Sequence, residues 1–595
     1  MRKLLVYLKD YKKETILAPL FKMLEATFEL FVPFVMADII DHGIREADTG
    51  VVLRSGLILV ALGMIGLLCS ATAQYFAAKA AVGFSTKLKH ALFSHIQSLS
   101  FTEIDTLGTS TLITRMTSDV NQVQNGVNMV LRLFLRSPFI VFGAMIMAFL
   151  IDAKAALIFV VTIPLLAVVV FGIMIITMPL YKKVQAGLDA VLLATRENLT
   201  GARVIRAFHK EAEEIERFEE KNTALTDLQL FVGKLSALTN PVTYIVVNVA
   251  TILLLYVGAV RVDEAIISQG QVVALVNYMS QILVELVKLA NLIILITKAL
   301  ACANRIEGIF EVQSSMQWGE RVLTAEGGQA ALAAEKESAA EEQEAVWAVE
   351  FEHVHLAYAG AGAESLSDIH ITVKKGQTVG VIGGTGSGKS SLVNMIPRFY
   401  DATKGTVRID GRDVKTYDME ELREKVGVVL QRAVLFRGTI RENLLWGRGD
   451  ASDEELWEAL ARAQAKEFVE AKEDGLDAPV AQEGRNLSGG QRQRLTIARA
   501  LVGRPEILIL DDSASALDYA TEAALRTAIR ELPGETTVFI VSQRASSIRH
   551  ADQIIVLEDG EVAGLGTHEE LLAECEVYQE IYYSQFPKEG GQHEK

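Results

Sequence analysis

The residues with the most specific chemistry form one run, Gly383-Gly384-Thr385-Gly386-Ser387-Gly388-Lys389-Ser390, followed by Ser391. It fits G-x-x-x-x-G-K-[ST] and follows TVGVIG, an apolar stretch with the composition of a buried strand. In such a loop glycines let backbone N–H groups converge on phosphate oxygens. A lysine supplies charge to the terminal phosphates, and the serine hydroxyl is a ligand for Mg²⁺. A second apolar run, ILIL, ends in two adjacent carboxylates, Asp511 and Asp512. An aspartate at the end of such a strand, here Asp511, is placed to hold Mg²⁺ through water. The predicted ligand is a nucleotide polyphosphate with its metal, and the metal set is Ser390, Asp511 and, by the resemblance below, Gln431.

Between these motifs lies Leu487-Ser488-Gly489-Gly490-Gln491, followed by RQRLTIARAL, a signature that phosphate-loop proteins in general lack. On these residues the chain resembles the ATP-binding cassette (ABC) transporter family, over essentially its whole length. The resemblance implies ATP as the nucleotide and Tyr358 as the aromatic that stacks on adenine. It implies a Q-loop role for Gln431, in VVLQRAVLF, in contact with Mg²⁺ and the membrane-domain interface. Asp518, closing Ser515-Ala516-Leu517-Asp518, matches the D-loop aspartate that communicates between two nucleotide sites. In this family two cassettes pack head to tail, so residues 487–491 would face the ATP of a partner chain. One copy cannot then complete a site. The segments around 100–105 and 204–210 fall where the family has the coupling helices that dock on the cassettes.

Two positions depart from the family's catalytic pattern. Where it has the glutamate that polarises the attacking water, this chain has Asp512; where it has the switch histidine, it has Gln543, in VSQR. Asp is one methylene shorter, which sets its carboxylate back by about 1–1.5 Å. A glutamine can hydrogen-bond a γ-phosphate but cannot carry a proton. Both losses fall on one site whose binding residues are intact. The chain thus resembles the degenerate-site subunit of bacterial heterodimeric multidrug ABC exporters. The resemblance implies a second half-transporter carrying the glutamate and histidine, and weak hydrolysis at this chain's own site.

The elements that position these residues divide the chain. Short β-rich runs alternating with helical segments from residue 346 onward predict an α/β domain with a largely parallel sheet, 346–595. An Ala/Glu/Gly/Gln-rich stretch within 311–345 reads as a linker. Residues 1–310 contain six apolar stretches, near 15–38, 52–78, 127–151, 155–179, 241–261 and 270–300, each of a length that suits a membrane-spanning helix. The expected architecture is an all-α six-span domain of ABC exporter type followed by a phosphate-loop domain. The long connections hold Lys87, Lys89, Arg115, Lys182, Lys183, Arg196, Arg203, Arg206 and Lys210, which places them and both termini in the cytoplasm by the positive-inside rule. VIRAFHKEAEEIERFEE reads as helix with a stripe of Val204, Ile205, Phe208, Ile215 and Phe218.

The net charge of −16 divides into +3 over residues 1–310 and −19 beyond. That excludes binding of nucleic acid through overall charge. Cys69, Cys302 and Cys575 have no paired spacing and read as packing residues rather than a disulfide or zinc framework. Glu25 and Glu29 share a face of the first span, as do Glu285 and Lys288 of the sixth. They either line a cavity for polar or cationic compounds or pair along their own helices. Phe28, Phe31, Phe34, Phe139 and Phe142 either line an apolar cavity or pack on lipid and neighbouring helices. Pro33, Pro138 and Pro164 are candidate bends. The functional expectation is an ATP-driven exporter subunit for amphipathic compounds, in the inner or plasma membrane of a bacterium. The alternatives are an importer of siderophore type on the same fold, and an ATP-gated regulator or channel that does not cycle.

Overall fold

Apolar runs longer than a soluble core helix needs dictate the first part of the molecule. In the computed structural model, which describes residues 3–319, 347–513, 515–532 and 535–586, these runs are continuous or gently broken helices. They are α1 (Lys12–Asp38), α2 (Thr49–Gln97), α3 (Phe101–Leu107), α4 (Thr109–Thr114), α5 (Val120–Leu133), α6 (Arg136–Ile151), α7 (Ala153–Thr200), α8 (Ala202–Ala207), α9 (Glu211–Ala237), α10 (Thr239–Asp263) and α11 (Gln269–Glu311). Among the described residues, five helical runs are long and apolar enough to cross a membrane: Thr49–Gln97, Thr109–Ile151, Ala153–Thr200, Glu211–Asp263 and Gln269–Glu311. The sixth expected span is α1, a 27-residue helix made less apolar by Lys22, Glu25 and Glu29. Pro138 sits in the first turn of α6, just past a break at residues 134–135, where its missing N–H costs no helical bond.

The chain divides into two compact units, Met1–Gln97 with Thr109–Val312, and Ser98–Gly108 with Gln313–Lys595. In the first, Ala73, Ala77, Ala80 and Ala81 of α2 and Ala18 and Ala26 of α1 are fully buried, while Leu57, Val60, Leu67 and Leu68 of α2 are exposed. Large apolar side chains thus face outward and small ones bring backbones together, the pattern expected where lipid removes the hydrophobic drive for helix association. All three cysteines are buried and free. Phe31, Phe34 and Phe142 are exposed, whereas Phe139 packs against the buried cluster of α1, α6, α7, α10 and α11.

Residues 204–218 do not form the single helix expected of them. α8 ends at Ala207 and α9 starts at Glu211, with His209 in the left-handed region (φ 53°) between them. Glu211, Glu213 and Glu214 crowd the first turn of α9, where the helix dipole favours acids, and this local preference outweighs a continuous apolar stripe. Val204 and Phe208 consequently stand out on the short turn of chain around α8.

The buried charges of the first unit are paired, both along and between helices. Arg136, buried at the start of α6, donates from Nη1 to Glu285 of α11 and from Nη2 to Glu29 of α1, both at 2.7 Å. Glu285 also accepts from Ser137 and Lys288, each at 2.8 Å. Lys22 pairs with Glu25 and donates to Ser70 of α2. The Glu285–Lys288 contact is the intrahelical pairing anticipated; the link through Arg136 is not. Removing one partner of such a buried pair leaves an uncompensated charge. Arg136→Met should therefore lower stability by about 3–5 kcal/mol, read as a reduced unfolding midpoint in detergent, whereas Lys288→Met at the half-exposed edge should cost far less.

In the second unit the strands are β1 (Trp347–Leu356), β2 (Leu366–Lys374), β3 (Thr378–Gly383), β4 (Lys404–Ile409), β5 (Arg412–Asp413), β6 (Val426–Val429), β7 (Gly438–Thr439), β8 (Pro479–Val480), β9 (Ile507–Asp511), β10 (Thr537–Val541), β11 (Gln553–Glu558) and β12 (Glu561–Gly566). A six-stranded sheet runs β12-β11-β3-β10-β9-β6, parallel except for the antiparallel edge strand β12. β2-β1-β4-β5 form a separate antiparallel sheet. β1 and β2 could not join the parallel sheet as successive neighbours, because the segment 357–365 between them is too short for a crossover. The segment 320–345, read as linker, lies outside the described residues, as does Val346.

Candidate nucleotide-binding site

The register of the parallel sheet brings the two phosphate-site motifs together. Val541 of β10 pairs with Val381 of β3 on one side and with Asp511 of β9 on the other. The carboxyl ends of β3 and β9 therefore meet at one edge, where open α/β sheets bind ligands. β3 leads through the glycine-rich loop into the helix Lys389–Asn394. Gly386 and Gly388 have φ of 87° and 93°, and a Cβ on Gly388 would come within 2.8 Å of both the Ser365 carbonyl and the Leu366 side chain. At Gly383 it would meet the Leu557 carbonyl at 2.1 Å. Any other residue at either position would push the loop off its strand.

These elements enclose a cleft of about 260 Å³ lined by Ser365, Thr385, Gly386, Gly388, Lys389, Ser390, Ser391, Gln431, Asp511, Asp512, Val541, Ser542 and Gln543. Lys389 Nζ donates to the Gly383 and Gly384 carbonyls at 3.0 and 2.5 Å and to Ser387 Oγ at 3.3 Å. All three are neutral oxygens, so the ammonium is held in the loop by hydrogen bonds rather than by a direct ion pair. Burial lowers the Lys389 pKa, against the attraction of Asp511 and Asp512. Ser390 Oγ donates to Asp511 Oδ1 at 3.1 Å. The Asp511 carboxyl is raised first by burial, which the Ser390 bond and Lys389 offset and the neighbouring Asp512 reinforces. Asp512 has φ 46°, a left-handed conformation that aspartate tolerates better than glutamate. Its N–H donates to the Val541 carbonyl at 3.0 Å and its Oδ2 lies 3.4 Å from Gln431 Nε2.

This donor set fits a nucleotide polyphosphate with Mg²⁺. A hydroxyl and a carboxylate that already touch are hard oxygen ligands, and the lysine, the open loop and the unneutralised Asp511 need opposite charge. Among the described residues no group of three or more His, Cys, Asp or Glu is placed to hold a metal ion. The donor set therefore suits an ion that shares its coordination with phosphate and water.

Other expected site residues lie elsewhere in the same unit. Tyr358 is hydrogen-bonded to Ser391 Oγ at 2.9 Å and packs edge-on against Tyr400, 5.0 Å between centroids. Tyr400 and Phe399 connect onward to α3, the short helix in the first of the two segments where the resemblance leads one to expect coupling helices. The Tyr400 hydroxyl donates to Asp105 at 2.6 Å and Phe101 sits 4.7 Å from Phe399. Burial, then the Asp105 contact, pushes the Tyr400 phenol well above its ordinary pKa. Neither Tyr400 nor Ser365 stands out in the sequence, because no motif marks them. Ser488 caps the helix Gly489–Val502 in a reciprocal box with Gln491, at 3.0 and 3.2 Å. Leu487 to Gln491 do not line the cleft, and Ser488 and Gly489 are exposed. Asp518 is also outside it, capping the helix Tyr519–Arg530 through Thr521.

Comparison with known proteins agrees with this architecture. Residues 15–286 match the ABC transporter transmembrane region and residues 366–515 match the ABC transporter ATP-binding family. An uncharacterized ABC transporter ATP-binding protein of Mycobacterium tuberculosis is 35% identical over 582 residues, 97% of each chain. A putative multidrug export ATP-binding/permease protein of Bacillus subtilis is 31% identical, with 98% of each chain covered. The solved structure of a bacterial Atm1-family ABC exporter with ATP bound superposes with a TM-score of 0.77 at 21% identity, covering 98% of this chain and 99% of that one. The chain belongs to the ABC transporter family. It is a membrane protein with one transmembrane region of exporter-type fold and one ATP-binding domain, the build of a half-transporter that works as one of a pair.

Gly388→Ala should abolish labelling of the chain by a photoreactive ATP analogue, because the loop cannot close with a Cβ at that φ. Gly362→Ala, at a glycine whose added Cβ would meet nothing, should leave labelling at the level of the unmodified chain.

Proposed function

We propose that this chain is the degenerate-site half of a heterodimeric ABC exporter. It binds MgATP at its own phosphate loop, hydrolyses it weakly, and lends its signature to the partner's site. One observation carries the reading: Asp512 and Gln543, the two departures from the catalytic pattern, line the same cleft as the intact Lys389, Ser390 and Asp511. Binding and chemistry are thus separated within a single site. The exposed Ser488 and Gly489, turned away from that cleft, support a role toward a second cassette.

In this reading the loop N–H groups and Lys389 hold the phosphates, and Ser390, Asp511 and Gln431 hold Mg²⁺. The bound Mg²⁺ neutralises charge on the terminal phosphates. Asp512 is too short to bring its carboxylate against the attacking water, a displacement that costs on the order of 10²-fold, with up to 10⁴-fold for loss of a positioned base. Gln543 donates a hydrogen bond to the γ-phosphate without transferring a proton. Tyr358 stacks on adenine, and Asp518 carries the state of one site to the other. The transported class is amphipathic, a reading supported by the apolar spans and the relative named as a multidrug exporter. The protein resides in the bacterial plasma membrane with both termini in the cytoplasm, supported by the lysines and arginines of the long connections.

The test is ATPase turnover of the chain purified alone and with its partner half. Substituting the partner's glutamate should abolish hydrolysis, whereas Asp512→Asn should change it less than about threefold. A cooperative ATPase of ordinary rate from this chain alone would refute the reading. Substrate movement in proportion to ATP consumed separates a pump from a non-cycling gate.

A further inference from the structure

The loop that carries Gln543 is gripped from outside the nucleotide cleft. Gln585, the last residue of the helix Glu576–Gln585, accepts a hydrogen bond from the Ala545 N–H at 2.9 Å through Oε1. From Nε2 it donates to the Gln543 carbonyl at 2.8 Å. These two backbone groups flank Arg544, so a single carboxamide closes a ring over three residues and fixes the dihedrals between them. Ala545 opens the short helix Ala545–Ile548, and its N–H has no acceptor within that helix. Capping it would need only one of the two bonds. The bond to the Gln543 carbonyl, outside the helix, serves the loop.

Both flanks of the loop are anchored. Tyr578, from the helix that ends in Gln585, is fully buried in one apolar cluster with Ala545, Ile548 and Ile382, and Ile581 and Tyr582 pack on it. On the other flank Arg544 faces Glu522 at 3.6 Å and lies over the Tyr519 ring, while Ser547 donates to Glu522 at 2.5 Å. Tyr519 and Glu522 belong to the helix that Asp518 caps. With glutamine at position 543 the side chain acts only through directional hydrogen bonds, which weaken steeply with distance and angle. The placement of its backbone therefore governs what it can do.

We propose that Gln585 is a positioning residue for this nucleotide site. It sets the backbone of residues 543–545 so that the Gln543 carboxamide meets the γ-phosphate, and it makes recognition of the terminal phosphate depend on the C-terminal helix. The inference rests on the reading of Gln543 as a γ-phosphate contact given above. Gln585 touches neither nucleotide nor water; it acts through the loop.

The test uses the full-length transporter and compares photolabelling of this chain by 8-azido-ATP with that by 8-azido-ADP. Only the triphosphate reaches Gln543, so Gln543→Ala and Gln585→Ala should each lower the ATP-to-ADP affinity ratio about 10- to 150-fold, the loss of one hydrogen bond to a charged group. The double variant should be no worse than either single one. Gln585→Glu, which keeps the acceptor for Ala545 but sets a carboxylate oxygen against the Gln543 carbonyl, should lower the ratio at least as far as Gln585→Ala. If Gln543→Ala lowers the ratio and Gln585→Ala does not, or if Gln585→Ala weakens ATP and ADP equally, the positioning role is wrong and the γ-phosphate reading stands. If Gln543→Ala itself leaves the ratio unchanged, both are wrong.

Discussion

The cassette depends on two buried charges, Lys389 and Asp511, that attract each other across one cleft without closing into an ion pair. Lys389 spends its hydrogen bonds on neutral oxygens of the loop, and Asp511, beside a second carboxylate, has a single hydroxyl as donor. Placing an ammonium and a carboxylate at the edge of a parallel sheet is costly without opposite charge. A polyphosphate and Mg²⁺ supply both at once, since each is the counter-charge of one of these groups. The strand order sets this up, because β10 holds β3 and β9 at a register that puts the loop and Asp511 on the same edge. The glycines then follow, because only Gly383 and Gly388 let the loop turn against the Leu557 and Ser365 carbonyls.

The membrane unit meets the same cost in the opposite way. Its buried charges are closed off by the protein itself, with Arg136 shared between Glu29 and Glu285 and the latter also bound by Ser137 and Lys288. Arg136 thereby links three helices, whereas the cassette keeps its charges open for a ligand. The contrast separates a structural charge cluster from a binding site by one criterion: whether each charge already has its partner.

The phosphate loop, the ILILDD strand, the signature and the apolar spans were legible because each is a local pattern whose chemistry needs a fixed spacing. What was not legible depends on contacts between distant residues. Arg136 lies 149 positions from Glu285, and Gln585 lies 42 from Gln543. No periodicity marks either, although a charged residue within an apolar span is a signal that could have drawn attention to Arg136. The break between α8 and α9 is hidden by an apolar stripe that runs across it, and only the acidic first turn of α9 marks it. The antiparallel sheet of β1 and β2 was missed because strand-like composition does not encode direction; the short segment between them does. Asp512 adds a feature that the sequence does not show, a left-handed backbone of the kind that aspartate enters more often than most residues.

In the proposed reading this cleft holds ATP and cleaves it far more slowly than the partner's site turns over. The most direct measurement is the state of the nucleotide on each chain after one turnover of the assembled transporter, using a photoreactive ATP labelled on the α-phosphate and resolving the two chains. The expected outcome is triphosphate crosslinked to this chain and diphosphate to its partner. Diphosphate on this chain, formed at the rate of transport, would contradict it.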